Sequence, residues 1–404
     1  MCVWTSCGAQ DKDILGIIEF ARNSGILLEE GAKNALSHPN AASVVHDAER
    51  HRPQPWKLKA PVEIFDYNQV SAVRSVPVVE DWRSLSQADF LQRADCPMIF
   101  QSLGADIEAK KRWDRRFLGQ FSDEMVQVKS TFALNSSERI WSTEVRLRDF
   151  ISAIEAGEER VYAAEWYIFR NHPELLQDVT SGFPEYLLDD WLELIPASWA
   201  FGTEMRTNLY WGAPKSITPI HYDSLNACTW NVTLKGSKRW LLFSTREFEI
   251  TAPQCWQQLQ EKGFVTEYGL FTPEAVQRYV AKPPDGFPKL QFYVHDVTEG
   301  NTIYVPWRWG HQIQNIDEVI AVSHYYISRE NYPAAVHFMR DNFGRVLTFL
   351  VQALIGNGTT RAILKTPFVR KLLAHRLTTA SFQTLMRLVA PDYITFVDTI
   401  KKMP

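Results

Sequence analysis

The sequence predicts a mainly β core with α additions, in the form of a barrel or double-sheet jelly roll with N-terminal helices and a C-terminal helical bundle. Three observations carry that prediction. About eight short runs of alternating apolar and polar residues lie between Asn208 and Ser328, separated by turn residues. An insertion from about residue 245 to about 290 breaks the series midway. Apolar residues recur at helical spacing at both ends of the chain.

In chain order, Ile14, Ile17, Ile18 and Ala21 predict a helix from Asp13, with a break at Gly25 before a second one ending near Leu36. Prolines at 39, 53, 55 and 61 then mark a connecting arm, so that residues 1–75 form a helical extension and arm. A second unit, 76–330, opens at Val76-Pro77-Val78-Val79-Glu80. Its leading elements are a helix over Leu85–Leu91, a strand over Pro97–Phe100, a helix over Trp113–Phe121, a strand over Met125–Phe132 and a helix over Val145–Glu155. Pro184 to Trp191 reads as a helix whose acidic residues face water. The strands that follow are Leu209–Trp211, Ala227–Leu234 and Lys238–Phe243, with Gly236 making the turn between the last two. The insertion carries a helix over Pro253–Lys262. Strands resume at Gln291–Val297, Thr302–Val305, His311–Asn315 and Val319–Ser328. Residues 331–404 return to helical spacing in Ala334–Ile355, Ala362–Leu377 and Ser381–Val389, whose apolar faces must pack on the core, on each other or on a second subunit.

Composition excludes several classes. With 45% hydrophobic and 22% charged residues the 404-residue chain can bury a sizeable core and is far from a disordered composition. A formal charge of -4 gives no global attraction to nucleic acid or an anionic membrane. The basic stretch Arg361, Lys365, Arg370, Lys371 and Arg376 reads first as a solvated helix face and second as a surface for an acidic protein or RNA. The apolar run Val346–Ile355 is too short to cross a bilayer. Five sparsely spaced cysteines without a secretory leader suit a reduced, intracellular protein, cytoplasmic or nuclear.

The chemistry centres on Thr218 to Ser244. Alternation along an extended strand points His221 and Asp223 the same way, so both can grip one metal ion, and His311 is the best third ligand. Two histidines and one carboxylate with open positions suit a non-haem Fe(II) oxygenase. The His-x-Asp pattern is weak by itself: with ten histidines and 47 acidic residues, about one His-x-Asp/Glu is expected by chance. A second one, His172-Pro173-Glu174, reads as a helix start, proline and glutamate both suiting a first turn. Lys238 adds weight because it shares a face with Trp240 and Leu242, and an inward ammonium asks for an anion. Alternation alone leaves the opposite reading equal, with Arg239, Leu241 and Phe243 inward. Thr218, Asn231 and Ser323 are polar candidates for the same cavity, while Tyr210, Trp211, Trp230, Trp307 and Trp309 could wall it or be ordinary core.

TPIHYD, WNVTLKGSKRWLLF and EGNTIYVPWRWGHQIQNIDEVIAVSHYYIS resemble the core of the JmjC family of Fe(II)- and 2-oxoglutarate-dependent oxygenases, in particular its JmjC-only hydroxylases. The resemblance is strong from about Thr207 to Ser328, fainter from Val76, and leaves residues 1–75 uncovered. It implies a cupin-type double-stranded β-helix, iron on His221, Asp223 and His311, and the distal carboxylate of 2-oxoglutarate on Lys238 and Thr218. Asn231, Asn315 and Ser323 match polar positions lining that pocket, whereas the family's tyrosine partner for the carboxylate has no assigned position. Trp309-Gly310-His311 departs from the common double tryptophan before the last ligand. The implied reaction consumes O2, converts 2-oxoglutarate to succinate and CO2, and hydroxylates a protein side chain. Demethylation, RNA or small-molecule hydroxylation and a non-catalytic adaptor are the alternatives. A homodimer through the C-terminal helices is a further expectation.

Overall fold

A computed structural model of the chain describes residues 63–130, 141–159, 161–194, 206–245, 253–266 and 268–343, with the isolated positions 358 and 366. The predicted helices before residue 63, the C-terminal helices beyond Phe343, the basic stretch from Arg361 and the dimer they were expected to form lie outside the described residues, as do Cys2 and Cys7. Cys96, Cys228 and Cys255 form no disulfide among the described residues. Among the described residues no helix is long and apolar enough to cross a membrane.

Among the described residues fourteen strands form in order: β1 (Arg74–Ser75), β2 (Val78–Val79), β3 (Met98–Phe100), β4 (Met125–Ser130), β5 (Trp141–Arg146), β6 (Tyr162–Trp166), β7 (Thr207–Gly212), β8 (Ile217–His221), β9 (Cys228–Lys235), β10 (Ser237–Ser244), β11 (Phe292–Thr298), β12 (Thr302–Val305), β13 (Trp309–Asn315) and β14 (Val319–Tyr326). They make a five-stranded sheet, β1-β11-β10-β13-β8, and a nine-stranded sheet, β2-β3-β12-β9-β14-β7-β6-β4-β5. From β7 onward the chain passes repeatedly between the sheets, so residues distant in sequence meet across the interior.

Each face of each sheet is covered. Between the sheets Ile99, Ile303 and Val305 pack on Trp240, Leu242, Val297 and Ile313. The outer face of the nine-stranded sheet buries Leu209, Trp211, Trp230, Val232, Ile320 and Val322 under the helical elements, including Phe90, Phe150 and Leu187. Trp211 and Trp230 are therefore ordinary core. The outer face of the five-stranded sheet buries Leu241, Phe243 and Phe292 under helices Pro253–Glu261 and Pro273–Ala281 of the insertion. The second of these was not expected, although Thr272-Pro273-Glu274-Ala275 carries its signal: Thr272 accepts from Ala275 N and proline occupies the first turn. The last described part of the arm crosses the same face. Gln314 accepts from Phe65 N at 3.0 Å, Arg239 donates to Phe65 O at 2.7 Å, and Tyr67 and Val70 join the core there.

The predicted strands fall where strands form, within about two residues at their ends. Gly236 does make the β9–β10 turn, at φ 76°, and a Cβ there would come within 2.1 Å of Glu318 O. Three expectations need correction. The helix expected over Trp113–Phe121 spans only Arg115–Gly119, capped by Asp114, and Trp113 ends the preceding turn of helix. Val145 belongs to β5, and the helix expected to start there begins at Leu147. Asp190 does not face water: it is 7% exposed and accepts from Arg206 Nη2 at 2.5 Å and from Leu192 N at 3.0 Å. A carboxylate can be buried there because both of its oxygens have donors.

Candidate metal centre and adjoining anion pocket

β8 and β13 are antiparallel neighbours in which His311 lies opposite His221. Their rings meet at a centroid distance of 4.2 Å. Asp223 follows β8 by two residues and brings Oδ1 to 3.8 Å from His221 Nε2 and 4.0 Å from His311 Nε2. One ligand atom from each of the three lies within 4.8 Å of the others, close enough to hold one metal ion. Among the described residues this is the only such group.

The surroundings orient all three. His221 Nδ1 is 2.8 Å from Pro219 O and His311 Nδ1 is 3.0 Å from Trp309 O. A ring nitrogen that meets a carbonyl carries the proton, so each Nε2 presents its lone pair to the metal position. Thr229, buried on β9, donates to Asp223 Oδ2 and leaves Oδ1 for the metal. Burial raises the Asp223 carboxyl above its ordinary range against the pull of His221 and Thr229, and burial lowers His311 to about 4, its bond to Trp309 opposing and Lys238 adding to the shift. A histidine kept neutral, as His311 is, can act as a ligand at physiological pH.

Lys238 faces the interior, which resolves the ambiguity of the alternation. It is 1% exposed on β10, opposite Asn315 of β13 and Val297 of β11. Its Nζ lies 5.4 Å from the Tyr210 ring centroid and 5.5 Å from that of Trp240. Among the described residues no carboxylate pairs with it, and burial brings the ammonium down to about 7. Leu242, opposite His311, is four residues along the same strand, about 13 Å away by strand rise. A lysine side chain and a five-carbon diacid together span such a distance.

The remaining expected residues divide between two groups. Asn231 and Ser323 are opposite each other on β9 and β14, with Asn231 Nδ2 donating to Ser323 Oγ at 2.6 Å. Asn315 Nδ2 donates to Ser216 Oγ at 2.7 Å. The Oδ1 atoms of both asparagines are buried without a hydrogen-bond partner, which leaves two acceptors facing the protein interior. Thr218, half-buried on β8, is hydrogen-bonded to Tyr162 of β6. Gly212 is required at this end, since a Cβ would come within 2.3 Å of Asn315 Nδ2 and 2.8 Å of Tyr162 Cδ2. Of the five aromatics considered, Tyr210 and Trp309 line the interior. The decoy His172 bonds Glu124 at 2.6 Å beside a helical turn at Pro173–Leu175.

Two contributors escaped the sequence reading. Thr229 had a legible signal, because Thr229, Asn231 and Thr233 form a polar row of period two on β9. Tyr162 had none, since its strand is irregular and its partner Thr218 is 56 residues away in the sequence.

Two histidines and one carboxylate gathered between the facing sheets, with a buried cation on the neighbouring strand β10, form an arrangement that can hold a metal ion beside an anion. The chain belongs to the family described as the Cupin-like domain, whose profile matches residues 84–332. Relatives include the mouse 2-oxoglutarate and iron-dependent oxygenase JMJD4, 24% identical over 67% of this chain and 65% of that protein, and its human counterpart, 26% identical over 66% and 64%. A shorter stretch, 30% of this chain and 29% of the relative, is 33% identical to the bifunctional arginine demethylase and lysyl-hydroxylase psr-1 of Caenorhabditis elegans. The chain thus spans just under two thirds of the JMJD4 proteins' own length.

Proposed function

We propose that this protein is an Fe(II)- and 2-oxoglutarate-dependent oxygenase that hydroxylates a protein side chain. The single observation that carries the reading beyond a metal protein is Lys238, a buried cation with no carboxylate among the described residues, on the same strand that faces His311. His221, Asp223 and His311 hold the iron. Lys238, with Thr218, receives the distal carboxylate of 2-oxoglutarate, and Asn231, Asn315 and Ser323 line the same pocket. Tyr162, hydrogen-bonded to Thr218, and Tyr210, against the lysine, supply the tyrosines that the sequence alone did not place.

The two sheets are read here as the halves of a jelly-roll barrel occupying residues 76–330, with residues 1–75 and 331–404 as helical additions. The donor set fits the group: two neutral imidazoles and one carboxylate suit Fe(II) and leave positions open. Fe(II) with 2-oxoglutarate supplies the oxidising chemistry when bound, consuming O2 and releasing succinate and CO2 as one oxygen atom enters a substrate C–H bond. The protein's own part is to present both Nε2 atoms, fix one Asp223 oxygen through Thr229, and neutralise the diacid with Lys238 beside the apolar Trp240, Leu242 and Ile313. The names of related enzymes, a lysyl-hydroxylase and demethylases among them, support a protein substrate.

Anaerobic titration of the iron-loaded protein with 2-oxoglutarate, followed by a succinate assay in air, tests the proposal. Saturable binding that Lys238→Ala removes is the expected result. Absent binding, or binding indifferent to Lys238→Ala, defeats the cosubstrate assignment.

A further inference from the structure

The described part of the arm meets the outer face of the five-stranded sheet at one level. Asp296 of β11, Arg239 of β10, Gln314 of β13 and Ile217 of β8 are successive cross-strand partners, so they form one row across four strands. Phe65 of the arm meets three of them. Gln314 Oε1 accepts from Phe65 N at 3.0 Å, and Gln314 Nε2 donates to Glu63 O at 2.9 Å. Arg239 Nη1 donates to Phe65 O at 2.7 Å, while its Nε and Nη2 hold the two oxygens of Asp296 at 2.7 and 2.6 Å. The Phe65 ring packs on Ile217 and Leu270.

Behind this row lies the anion pocket. Successive residues of a strand face opposite ways, and the chain neighbours of Arg239, Gln314 and Ile217 are Lys238, Asn315 and Thr218. Each residue that meets Phe65 therefore stands back to back with one proposed to line the pocket for the diacid. The ladder alone holds these strands weakly here, because β8 is the edge of its sheet and its pairing with β13 shifts register between His311 and Ile313. Gln314 is 1% exposed, and both ends of its amide bond to the arm. Undocking the arm leaves that buried amide without partners, a cost that is relieved when β13 and β8 move to admit water.

We infer that Phe65 is a positioning residue: docked on Arg239, Gln314 and Ile217, it sets the spacing of β10, β13 and β8 and so the geometry of the pocket that takes the dicarboxylate. The inference rests on the oxygenase reading and deepens it by making arm docking a condition of tight cosubstrate binding. His221 and His311 lie further along the strands and depend less on this row. The coupling is reciprocal, so the factor that arm docking adds to diacid affinity is the factor that the diacid adds to arm docking.

Two variants break the contact and leave the pocket and metal residues in place. Gln314→Leu removes both bonds to the arm at similar volume, and Phe65→Ala removes the ring from Ile217. Calorimetry of 2-oxoglutarate on the Mn(II)-loaded full chain without O2 is read beside Mn(II) titration by electron paramagnetic resonance. Each variant is expected to weaken 2-oxoglutarate binding at least about 5-fold, the lower end of ordinary coupling between sites, while Mn(II) affinity stays within about 2-fold of wild type. Phe65→Leu is expected to recover most of the loss. In the wild type, adding 2-oxoglutarate to the Mn(II) protein is expected to slow hydrogen exchange of the Phe65 amide more than that of helix Leu147–Glu155, which packs on the other sheet; this measurement requires no variant to fold. Unchanged diacid affinity in both variants, equal losses of Mn(II) and diacid affinity, or exchange at Phe65 indifferent to the diacid overturns the inference. Failure of 2-oxoglutarate to bind the wild type overturns the oxygenase reading instead.

Discussion

Glu318 on the outer side of the nine-stranded sheet and Lys238 between the sheets are both withdrawn from water, and their surroundings differ completely. Glu318 accepts from Arg115 Nε at 3.1 Å and Nη2 at 2.7 Å, Lys235 Nζ at 2.9 Å and Trp211 Nε1 at 3.0 Å. Burial by itself raises this carboxyl, and the bonds from Arg115, Lys235 and Trp211 override it to hold the group down to about 2. Lys238 has two aromatic faces and no carboxylate among the described residues, so burial acts unopposed. A charge supplied with its partners belongs to the architecture. A charge supplied without one is reserved for a ligand.

That contrast can be broken or sharpened by substitution. The largest effect is expected at the metal itself: Asp223→Ala should weaken Mn(II) or Fe(II) binding by more than about 100-fold, beyond the loss typical of a group that only supports a ligand. Unchanged metal content in titrations followed by electron paramagnetic resonance would remove Asp223 from the site.

The two charges should respond with opposite signs. Lys238→Met, without cosubstrate, should stabilise the fold by about 1–4 kcal/mol at pH 6, because it replaces a buried cation by an apolar chain of similar length. The folded lysine titrates near 7 and the unfolded one near 10.5, so the penalty is full below about 7 and fades as pH rises toward 10.5. Denaturant midpoints at pH 6 and pH 10 measure it; a destabilised variant at pH 6 means the lysine already has its partner. Glu318→Gln should instead cost about 2 kcal/mol at neutral pH. With the folded carboxyl near 2 and its ordinary value at 4.5, that contribution is present above 4.5 and is lost as pH falls toward 2. The acid limb of the stability curve should therefore flatten in the variant, and an unaltered limb would deny the network its role.

The smallest effect concerns orientation. Thr229→Val removes the donor to Asp223 Oδ2 with little change of shape, and metal affinity should fall about 10-fold. Thr229→Ser should restore most of it, and equal affinities for the Val and Ser variants would reduce Thr229 to a packing residue.

The places where sequence reasoning stopped have a common cause. Lys238 could not be assigned a direction because β10 is covered on both faces, by the other sheet and by the insertion helices, so both rows of alternation read as apolar. β6 escaped notice because a register shift between Ala163 and Trp166 interrupts its period of two. β8 has only five residues and ends at His221, so Asp223 lies beyond the strand whose alternation was expected to orient it. Asp190 read as solvated because its partner Arg206 is 16 residues away, beyond any local pattern.

The sequence by itself determined the inventory: a β core with helical additions, the two histidines and the aspartate, and a lysine in a strand that has little use for one. Those follow from residue type and short-range period, which are properties of neighbours along the chain. Only the tertiary structure decided that His221 and His311 face each other across β8 and β13, that Lys238 points inward, and that Thr229 holds Asp223. These depend on register between strands up to 90 residues apart and on which sheet covers which face. No local period encodes that, because one residue of slip or one bulge sends a side chain to the opposite face.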